Sequence, residues 1–264
     1  MPAIAELLEP LRAGPETSAI LCDVDGTLAP IAARPEESAV PEDARSTLAR
    51  LADRYALVAC ISGRRATDAR RLVDVPGIVY VGSHGFEILH PGEDEPVVDE
   101  TAAGRAPSAR RFVEGLNVSR LEVLGIRLED KGPIQALHWR GAPSQAAAEL
   151  QAKEVAALAQ AEGLVPRWGR KVLELRPVAG IDKGVAVTRL LREPEIAGAL
   201  YGGDDVTDLD AFRALRWLLS AERLKTAVCV GVGSDEAPAG LAEQADLLVD
   251  GTEEFVALLK SLAS

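Results

Sequence analysis

Residues 21–28 read LCDVDGTL, and the apolar run that leads into them, Ser18 to Cys22, is typical of a buried strand. Because side chains alternate along an extended chain, Asp23 and Asp25 are expected to point to the same side. Gly26 allows a sharp turn directly after the pair. Open parallel α/β sheets place their active sites beyond the carboxyl ends of the strands. We therefore predict that the two carboxylates belong to such a site, although a solvated turn or a calcium loop is the simpler alternative for this motif alone.

The composition limits the classes of partner. The chain has 264 residues, of which 47% are hydrophobic and 27% charged, which suits one large domain or two unequal ones. Its formal net charge of −12 disfavours nucleic acid and anionic membranes as partners. An anionic substrate would need a local cluster of cations or a metal ion.

Cysteine usage and the first residues predict the compartment. Cys22, Cys60 and Cys229 all lie in apolar strand-like runs, and their odd number predicts buried, reduced thiols. Residues 1–14 form an amphipathic pattern without the basic start and long apolar stretch of a signal peptide. No stretch reaches the ~18 apolar residues of a membrane-spanning helix. We expect a cytoplasmic protein.

Short apolar runs alternate with helical patterns along most of the chain. Apolar strands separated by helices predict a parallel sheet that is covered on both faces. The runs that favour strands are 18–23, 55–61, 78–82, 198–203, 226–231 and 245–249. The patterns that favour helices lie near 41–53, 65–74, 183–193, 206–216 and 252–262.

Residues 105–177 have a different pattern, in which helices alternate with hairpins. This order predicts a small α+β domain inserted into an α/β core that comprises residues 1–104 and 178–264. The expected elements are a helix at 106–118, strands at 122–129 and 134–140, a helix at 143–162, and strands at 164–168 and 171–176.

Two further motifs can bind an anion. Ser62 and Gly63 end the second core strand, where a hydroxyl and backbone N–H groups at a helix start suit a phosphate. Lys183 begins a later helix, and its charge can neutralise both a carboxylate and a phosphoryl oxygen. In isolation, an ordinary strand-to-helix turn and a solvated lysine are the simpler explanations of the two motifs.

An acidic motif follows the fourth core strand. Asp204, Asp205 and Asp208 place three carboxylates within five residues, and they repel one another unless a cation is present. A helix N-cap explains one of them but hardly all three. Because the potential ligands are all oxygen atoms, the motif predicts Mg²⁺.

These four motifs, in this order, resemble motifs I to IV of the haloacid dehalogenase superfamily. The resemblance implies a Rossmann-like parallel-sheet core with an inserted α+β cap domain. A narrower resemblance is to the trehalose-6-phosphate phosphatases, although Val24 stands where that family more often has Tyr, and Asp130 where it often has Asn. The stretches that carry it are DVDGTLAPI (23–31), SGR (62–64), GSHGFEI (82–88), LEDKG with ALHWR (128–140), LELRP (173–177), DKG (182–184) and GGDDVTDLDAF (202–212).

The resemblance implies a Mg²⁺-dependent phosphoric monoester hydrolase that converts trehalose 6-phosphate to trehalose and phosphate, a step of trehalose biosynthesis. Asp23 would be the nucleophile that becomes an aspartyl-phosphate, and Asp25 the acid and base. Ser62 and Lys183 would anchor the phosphate. The implied metal ligands are Asp23, the carbonyl of Asp25, and Asp204, with Asp208 and Asp205 as outer support. The implied substrate contacts are Ser62, Gly63, Arg64, His84, Glu129, Lys131 and Glu174, where Arg64 could equally form an ion pair and His84 a buried hydrogen bond.

Other functions remain open from the sequence. The core motifs fit any capped sugar-phosphate phosphatase, for example one that acts on sucrose phosphate or mannosylphosphoglycerate. A phosphomutase or a phosphosugar-sensing binding module is a further alternative. The expected partner is a small sugar phosphate, the expected state is a monomer, and any synthase would be a separate protein because the chain has no glycosyltransferase-sized region.

Overall fold

The computed structural model describes residues 4–32, 37–192, 195–234 and 237–264, without the side chains of residues 101 and 102. The chain divides into two compact units. The first comprises Met1–Val97 and Ile181–Ser264, and the second is Val98–Gly180. The insertion expected at 105–177 falls inside the second unit, which begins earlier because a short helix precedes residue 105.

The elements are named in chain order. The strands are β1 (Ser18–Cys22), β2 (Leu57–Ile61), β3 (Val79–Gly82), β4 (Glu87–Leu89), β5 (Val97–Val98), β6 (Arg127–Lys131), β7 (Ile134–His138), β8 (Val165–Gly169), β9 (Val172–Arg176), β10 (Gly198–Gly203), β11 (Thr226–Gly233) and β12 (Leu247–Asp250). The helices are α1 (Ile4–Ala13), α2 (Glu42–Ala52), α3 (Ala66–Val73), α4 (Glu100–Ala103), α5 (Ala106–Glu114), α6 (Val118–Val123), α7 (Gln145–Ala161), α8 (Lys183–Leu190), α9 (Asp208–Ser220), α10 (Leu241–Gln244) and α11 (Gly251–Leu262).

The first unit is built on a largely parallel sheet. The strand order across the described part of this sheet is β12-β11-β10-β1-β2-β3-β4-β5, and β4 runs antiparallel to β3. Strand β1 lies between β10 and β2, with Cys22 opposite both Gly202 and Cys60. The carboxyl ends of these three strands therefore meet at one edge, and the segments that follow them lie side by side.

Both faces of this sheet are covered, as its apolar strands require. Ile20 of β1 belongs to a core with Leu48 of α2 and Phe255 of α11. Leu21, the next residue, belongs to a second core with Phe212 of α9 on the other face. This arrangement confirms the predicted α/β class with a parallel-sheet core.

The second unit has an antiparallel sheet with two unlike faces. Its strand order is β6-β7-β9-β8. Leu137 of β7 and Leu173 of β9 pack in an apolar core with Phe112 of α5 and Val155 of α7. The alternate residues, including Glu129 and Glu174, which both pair with Ala136, carry charged side chains on the opposite face.

One predicted strand in this unit is wrong in its first half. The strand expected at 122–129 begins only at Arg127, because α6 occupies the preceding residues. The side chain of Asn117 accepts a hydrogen bond from the Arg120 N–H (3.1 Å) and so caps α6. Gly125 then reverses the chain with a φ of 73°. Lys131, expected in the turn, is the last residue of β6.

Two sequence expectations about the whole chain can be compared with the structure. The three cysteines are free and buried. Among the described residues, no helix combines the length and the apolar character that crossing a membrane requires.

Candidate functional site

The acidic motifs of the first unit meet at the shared edge of β1 and β10. The Asp23 N–H donates to the Gly202 carbonyl (2.9 Å), which extends the pairing of the two strands by one residue. In the described part of the chain, oxygens of Asp23, Asp204 and Asp208 lie within 4.8 Å of one another. All three residues are buried. Two segments that are about 180 residues apart in sequence thus form one carboxylate cluster.

Lys183 is the cation within this cluster. Its Nζ donates to Asp23 Oδ1 and to Asp208 Oδ1, both at 2.7 Å. Burial alone would lower the pKa of Lys183, but the carboxylates of Asp208 and Asp23 outweigh this effect and raise it. The side chain is therefore a fixed ammonium ion.

The negative charge of the cluster is incompletely balanced. Burial raises the pKa of Asp23 well above its ordinary value, Lys183 opposes the shift, and the charges of Asp208 and Asp204 add to it. Three carboxylates around one ammonium leave negative charge that a further cation could neutralise. An all-oxygen donor set suits a hard cation. The cluster can therefore bind a metal ion.

The turn after Asp25 approaches Asp204 closely. Gly26 has a φ of 92°, and a Cβ atom at this position would overlap the Asp204 carboxylate. Thr27 Oγ1 donates to Asp204 Oδ1 at 3.4 Å. Glycine is thus required both for the turn that we predicted and for the contact between the two motifs.

Asp208 accepts hydrogen bonds from backbone groups and from side chains. The backbone N–H groups of Asp204 and Asp205 donate to its Oδ2 at 3.0 and 2.9 Å. The Tyr201 hydroxyl donates to its Oδ1 at 2.6 Å. Burial, together with the charges of Asp208 and Asp23, raises the pKa of Tyr201, which keeps the phenol as a donor. The sequence analysis missed Tyr201, since one tyrosine in an apolar strand is indistinguishable from a core residue.

Asp25 has surroundings of its own. Arg64 donates to both of its oxygens, from Nε at 2.6 Å and from Nη2 at 2.7 Å. Ser38 Oγ donates to Asp25 Oδ1 at 2.9 Å. The structure thus brings Asp25 and Arg64 together as an ion pair. Ser38 was also missed, because it lies outside every recognisable motif.

The segment Ser62–Arg64 follows β2 at the same edge of the sheet. Ser62 is buried, and its Oγ accepts a hydrogen bond from the Arg64 N–H at 3.1 Å. The ring of His84, which is also buried, lies against Gly63. Ser62, Gly63, Arg64 and His84 therefore lie together, and their contact with a substrate remains a prediction.

Asp205 differs from its acidic neighbours. Its Oδ1 accepts a hydrogen bond from the Val206 N–H at 2.5 Å, and the residue is only half-buried. It lies outside the carboxylate cluster of Asp23, Asp204 and Asp208. The part that we predicted for Asp205 as outer support of a metal remains a prediction.

The charged face of the second unit contains the other three predicted residues. Lys131 Nζ donates to Glu174 Oε1 at 3.1 Å and lies 4.0 Å from Glu129 Oε2. Two residues outside the predicted set also belong to this network. Arg176 Nη2 donates to Glu174 Oε2 at 2.8 Å, and His138 Nε2 lies 2.6 Å from Glu129 Oε2. Alternation along β7 and β9 could have indicated both.

The chain is similar to known proteins in sequence and in structure. The sequence model of the family described as trehalose-phosphatase matches residues 21–244, which is more than half of the chain. An uncharacterised glycosyl hydrolase of Mycobacterium tuberculosis (strain H37Rv) is 38% identical over 170 residues, which are 61% of this chain and 12% of that protein. The trehalose-phosphate phosphatase of Mycobacterium avium (strain 104) is 36% identical over 60% of this chain and 41% of its own length.

The chain therefore spans less than half the length of these two curated relatives. A solved structure covers almost the same length as this chain. The crystal structure of a trehalose-6-phosphate phosphatase related protein aligns with a TM-score of 0.72 and 26% identity, over 93% of this chain and 96% of the other.

Proposed function

The chain belongs to the trehalose-phosphatase family, and we propose that it hydrolyses trehalose 6-phosphate to trehalose and inorganic phosphate in trehalose biosynthesis. The observation that carries the proposal is the buried cluster of Asp23, Lys183, Asp204 and Asp208 at the carboxyl edge of the sheet. Phosphoryl transfer depends on charge neutralisation and in-line positioning. Lys183 places one positive charge beside Asp23, and the carboxylates could hold a metal ion that supplies more.

We assign the nucleophile to Asp23. One of its carboxylate oxygens forms a bond to phosphorus while the bond from phosphorus to the sugar oxygen breaks, which gives an aspartyl-phosphate and free trehalose. Attack of water on phosphorus then releases inorganic phosphate and restores the carboxylate. Lys183, 2.7 Å from Asp23 Oδ1, orients the nucleophile and offsets the negative charge that accumulates.

We assign the proton transfers to Asp25. It gives a proton to the departing sugar oxygen and takes one from the attacking water. In the structure, Arg64 and Ser38 both donate hydrogen bonds to its carboxylate and so fix the orientation of this side chain.

The donor set of the cluster fits Mg²⁺. Asp23 and Asp204 would bind it together with the backbone carbonyl of Asp25, and Asp208 and Asp205 would support these ligands. When bound, the ion would neutralise charge on the phosphoryl oxygens. Asp208 is well placed for support, because its hydrogen bonds to Tyr201 and to Lys183 fix its orientation.

The phosphate group would be bound by Ser62, Lys183, the N–H groups around Gly63, and Arg64. We assign His84 to the same phosphate-binding segment through its contact with Gly63. Phosphate at this position would lie at the start of helix α3, where the helix dipole favours an anion.

We assign recognition of the sugar to the charged face of the second unit. Glu129 and Glu174 can accept hydrogen bonds from sugar hydroxyl groups, and Lys131 can donate them. On this proposal the first unit is the catalytic core, and the second unit determines substrate specificity. The protein would act as a cytoplasmic monomer.

A panel of phosphate esters tests the proposal. Phosphate release is measured from trehalose 6-phosphate, sucrose phosphate, mannosylphosphoglycerate and glucose 6-phosphate, each with and without Mg²⁺. We expect Mg²⁺-dependent release that strongly favours trehalose 6-phosphate. Equal rates across the panel would refute that substrate. Exchange between glucose 1-phosphate and glucose 6-phosphate would indicate a mutase, and binding without turnover would indicate a sensor.

A further inference from the structure

A strained loop follows strand β3. Ser83, His84 and Gly85 have consecutive positive φ angles of 51°, 58° and 114°. The left-handed region disfavours residues with a side chain, and non-glycine residues that are held there are concentrated at functional sites. A serine and a histidine in succession therefore need a cause in the contacts that the loop makes.

The backbone of this loop is bonded to the phosphate-binding segment. The Ser83 N–H donates to the Arg64 carbonyl at 2.6 Å, and the His84 N–H donates to the Ser62 carbonyl at 2.9 Å. The left-handed turn thus directs two successive N–H groups to both ends of the segment Ser62–Arg64. An ordinary extended backbone would point successive N–H groups in opposite directions.

The side chain of His84 in the loop and that of Glu87, at the start of β4, reinforce these backbone hydrogen bonds. A Cβ atom on Gly63 would lie 2.8 Å from Cε1 and Nε2 of His84, so the imidazole ring lies directly on the glycine. Glu87 Oε1 accepts a hydrogen bond of 2.6 Å from the N–H of Ala66, the first residue of α3. The segment is therefore held at its middle as well as at its ends.

Fixing Arg64 also directs the hydroxyl of Ser62. The Arg64 N–H donates to Ser62 Oγ at 3.1 Å. Because a hydroxyl has one proton to donate, the Oγ can accept this bond and still donate its own proton to an oxygen of the ligand. The orientation of that donor depends on where the backbone of Arg64 is held, and the Ser83 N–H holds it.

We propose that the loop Ser83–Gly85 positions the segment Ser62–Arg64 for phosphate, with His84 as its principal positioning residue. This inference rests on the proposed function, because it takes the ligand of Ser62 to be a phosphate group. His84 acts through Gly63 and the carbonyl of Ser62. The strain of the loop persists because these contacts determine its conformation.

The test is the binding of inorganic phosphate in the presence of Mg²⁺, measured by titration calorimetry. His84→Gly removes the ring and also removes the backbone strain. His84→Asn removes the ring but keeps a residue that tolerates the left-handed region. We expect both variants to bind phosphate about tenfold more weakly than wild type, with an unfolding temperature that is unchanged or, for His84→Gly, raised.

Asp74→Gly is the matched control. Asp74 has a φ of 52°, ends helix α3, and is exposed, so the change also places glycine at a left-handed position. We expect this variant to bind phosphate like wild type. If both His84 variants keep wild-type affinity and only unfold more easily, the loop is a structural support and the inference is wrong.

The two proposals can fail separately. Phosphate binding does not require turnover, so a wild-type protein that binds phosphate but hydrolyses no sugar phosphate overturns only the proposed function. A wild-type protein that hydrolyses trehalose 6-phosphate, together with His84 variants of unchanged phosphate affinity, overturns only the inference about the loop.

Discussion

Asp23 and Asp25 are two residues apart in the chain, yet the fold gives their carboxylates different partners. Asp23 is buried beside Lys183, whereas Asp25 is half-buried and paired with Arg64 and Ser38. Different surroundings are the means by which two similar carboxyl groups take the separate tasks of nucleophile and acid or base. The proposed division of tasks between Asp23 and Asp25 can be tested one residue at a time.

The nucleophile is tested by Asp23→Asn. The amide cannot form a stable acyl phosphate, so we expect phosphate release from trehalose 6-phosphate to fall by roughly 10³-fold or more. Circular dichroism should show the fold unchanged. Asp94→Asn, at a side chain that is 98% exposed, is the control and should keep full activity. Persistent release by pure Asp23→Asn protein would show that another group attacks.

A second prediction concerns Tyr201, which orients Asp208 through a hydrogen bond of 2.6 Å. Tyr201→Phe keeps the buried ring but removes this donor. Because groups that orient metal ligands typically contribute 10- to 100-fold in affinity, we expect Mg²⁺ binding, measured by calorimetry, to weaken by about tenfold.

Tyr80→Phe is the matched control for this change. The Tyr80 hydroxyl is also buried, but it bonds to the Val75 backbone, away from the carboxylate cluster. Its loss should lower the free energy of unfolding by about 1 kcal/mol and leave Mg²⁺ affinity unchanged. Equal Mg²⁺ affinities in the two variants would show that Tyr201 is merely a core residue.

The sequence predicted the residues of the cluster because they occur in short motifs. Asp23, Asp204 and Asp208 each stand at a strand end or helix start that has a local signal. Ser38 and Tyr201 have no such signal, because their importance comes from distant chain segments that only the folded structure brings near. The pairing of Asp25 with Arg64 was unpredictable for the same reason.

Among the secondary-structure elements, predictions were most accurate where the chain is apolar over its whole length. Strand β10 (Gly198–Gly203) is entirely buried and has the predicted bounds, because only a covered parallel strand has this pattern. Short β4, which lies between β3 and the edge strand β5, was not predicted. The strand expected from residue 122 was wrong because Asn117 caps a short helix over Val118–Val123 and Gly125 reverses the chain after it.

The hydrogen bond between Glu87 of β4 and the N–H of Ala66 in α3 predicts that the stability of the fold depends on pH. Burial raises the pKa of Glu87, whose Oε1 accepts the hydrogen bond from Ala66. The folded state therefore holds this proton more tightly than the unfolded chain does. At neutral pH the charged Glu87 carboxylate lowers the free energy of unfolding. This destabilisation is lost as the pH falls through the pKa of Glu87 in the folded protein towards its lower pKa in the unfolded chain.

Glu87→Gln keeps an oxygen acceptor and removes the charge. We expect its unfolding free energy, minus that of wild type, to be larger at pH 8 than at pH 4.5 in chemical denaturation. All other groups titrate alike in the two proteins, so the difference isolates Glu87. A difference that stays constant with pH, or grows as pH falls, would contradict the raised pKa.

The charged face of the second-unit sheet is tested by Glu174→Gln. Glu174 accepts hydrogen bonds from Lys131 and Arg176, and the amide would weaken both. We expect kcat/KM to fall about 10- to 100-fold for trehalose 6-phosphate and much less for a small aryl phosphate, since the aryl ester has no sugar hydroxyls. Glu149→Gln, at a residue of α7 whose side chain is 42% exposed, is the control. An equal loss for both substrates would remove Glu174 from sugar recognition.

In the molecule as a whole, the first unit contains both the carboxylate cluster and all three thiols. Cys22, Cys60 and Cys229 are fully buried, and burial raises the pKa of Cys229 to about 12. We expect no reaction of the native protein with a thiol reagent at pH 8, and modification of three thiols after unfolding. Thiol exposure therefore reports the unfolding of the unit that holds the proposed metal site.

The final prediction concerns metal binding, which thiol exposure can measure. A ligand that binds only the folded state at 100 times its dissociation constant stabilises that state by about 2.7 kcal/mol. Saturating Mg²⁺ should therefore move thiol exposure to a higher denaturant concentration in the wild-type protein. In Asp204→Asn, the repulsion among the carboxylates is smaller and a ligand is lost, so the same addition should produce little shift. Equal Mg²⁺-dependent shifts in the two proteins would locate the metal outside the cluster of Asp23, Asp204 and Asp208.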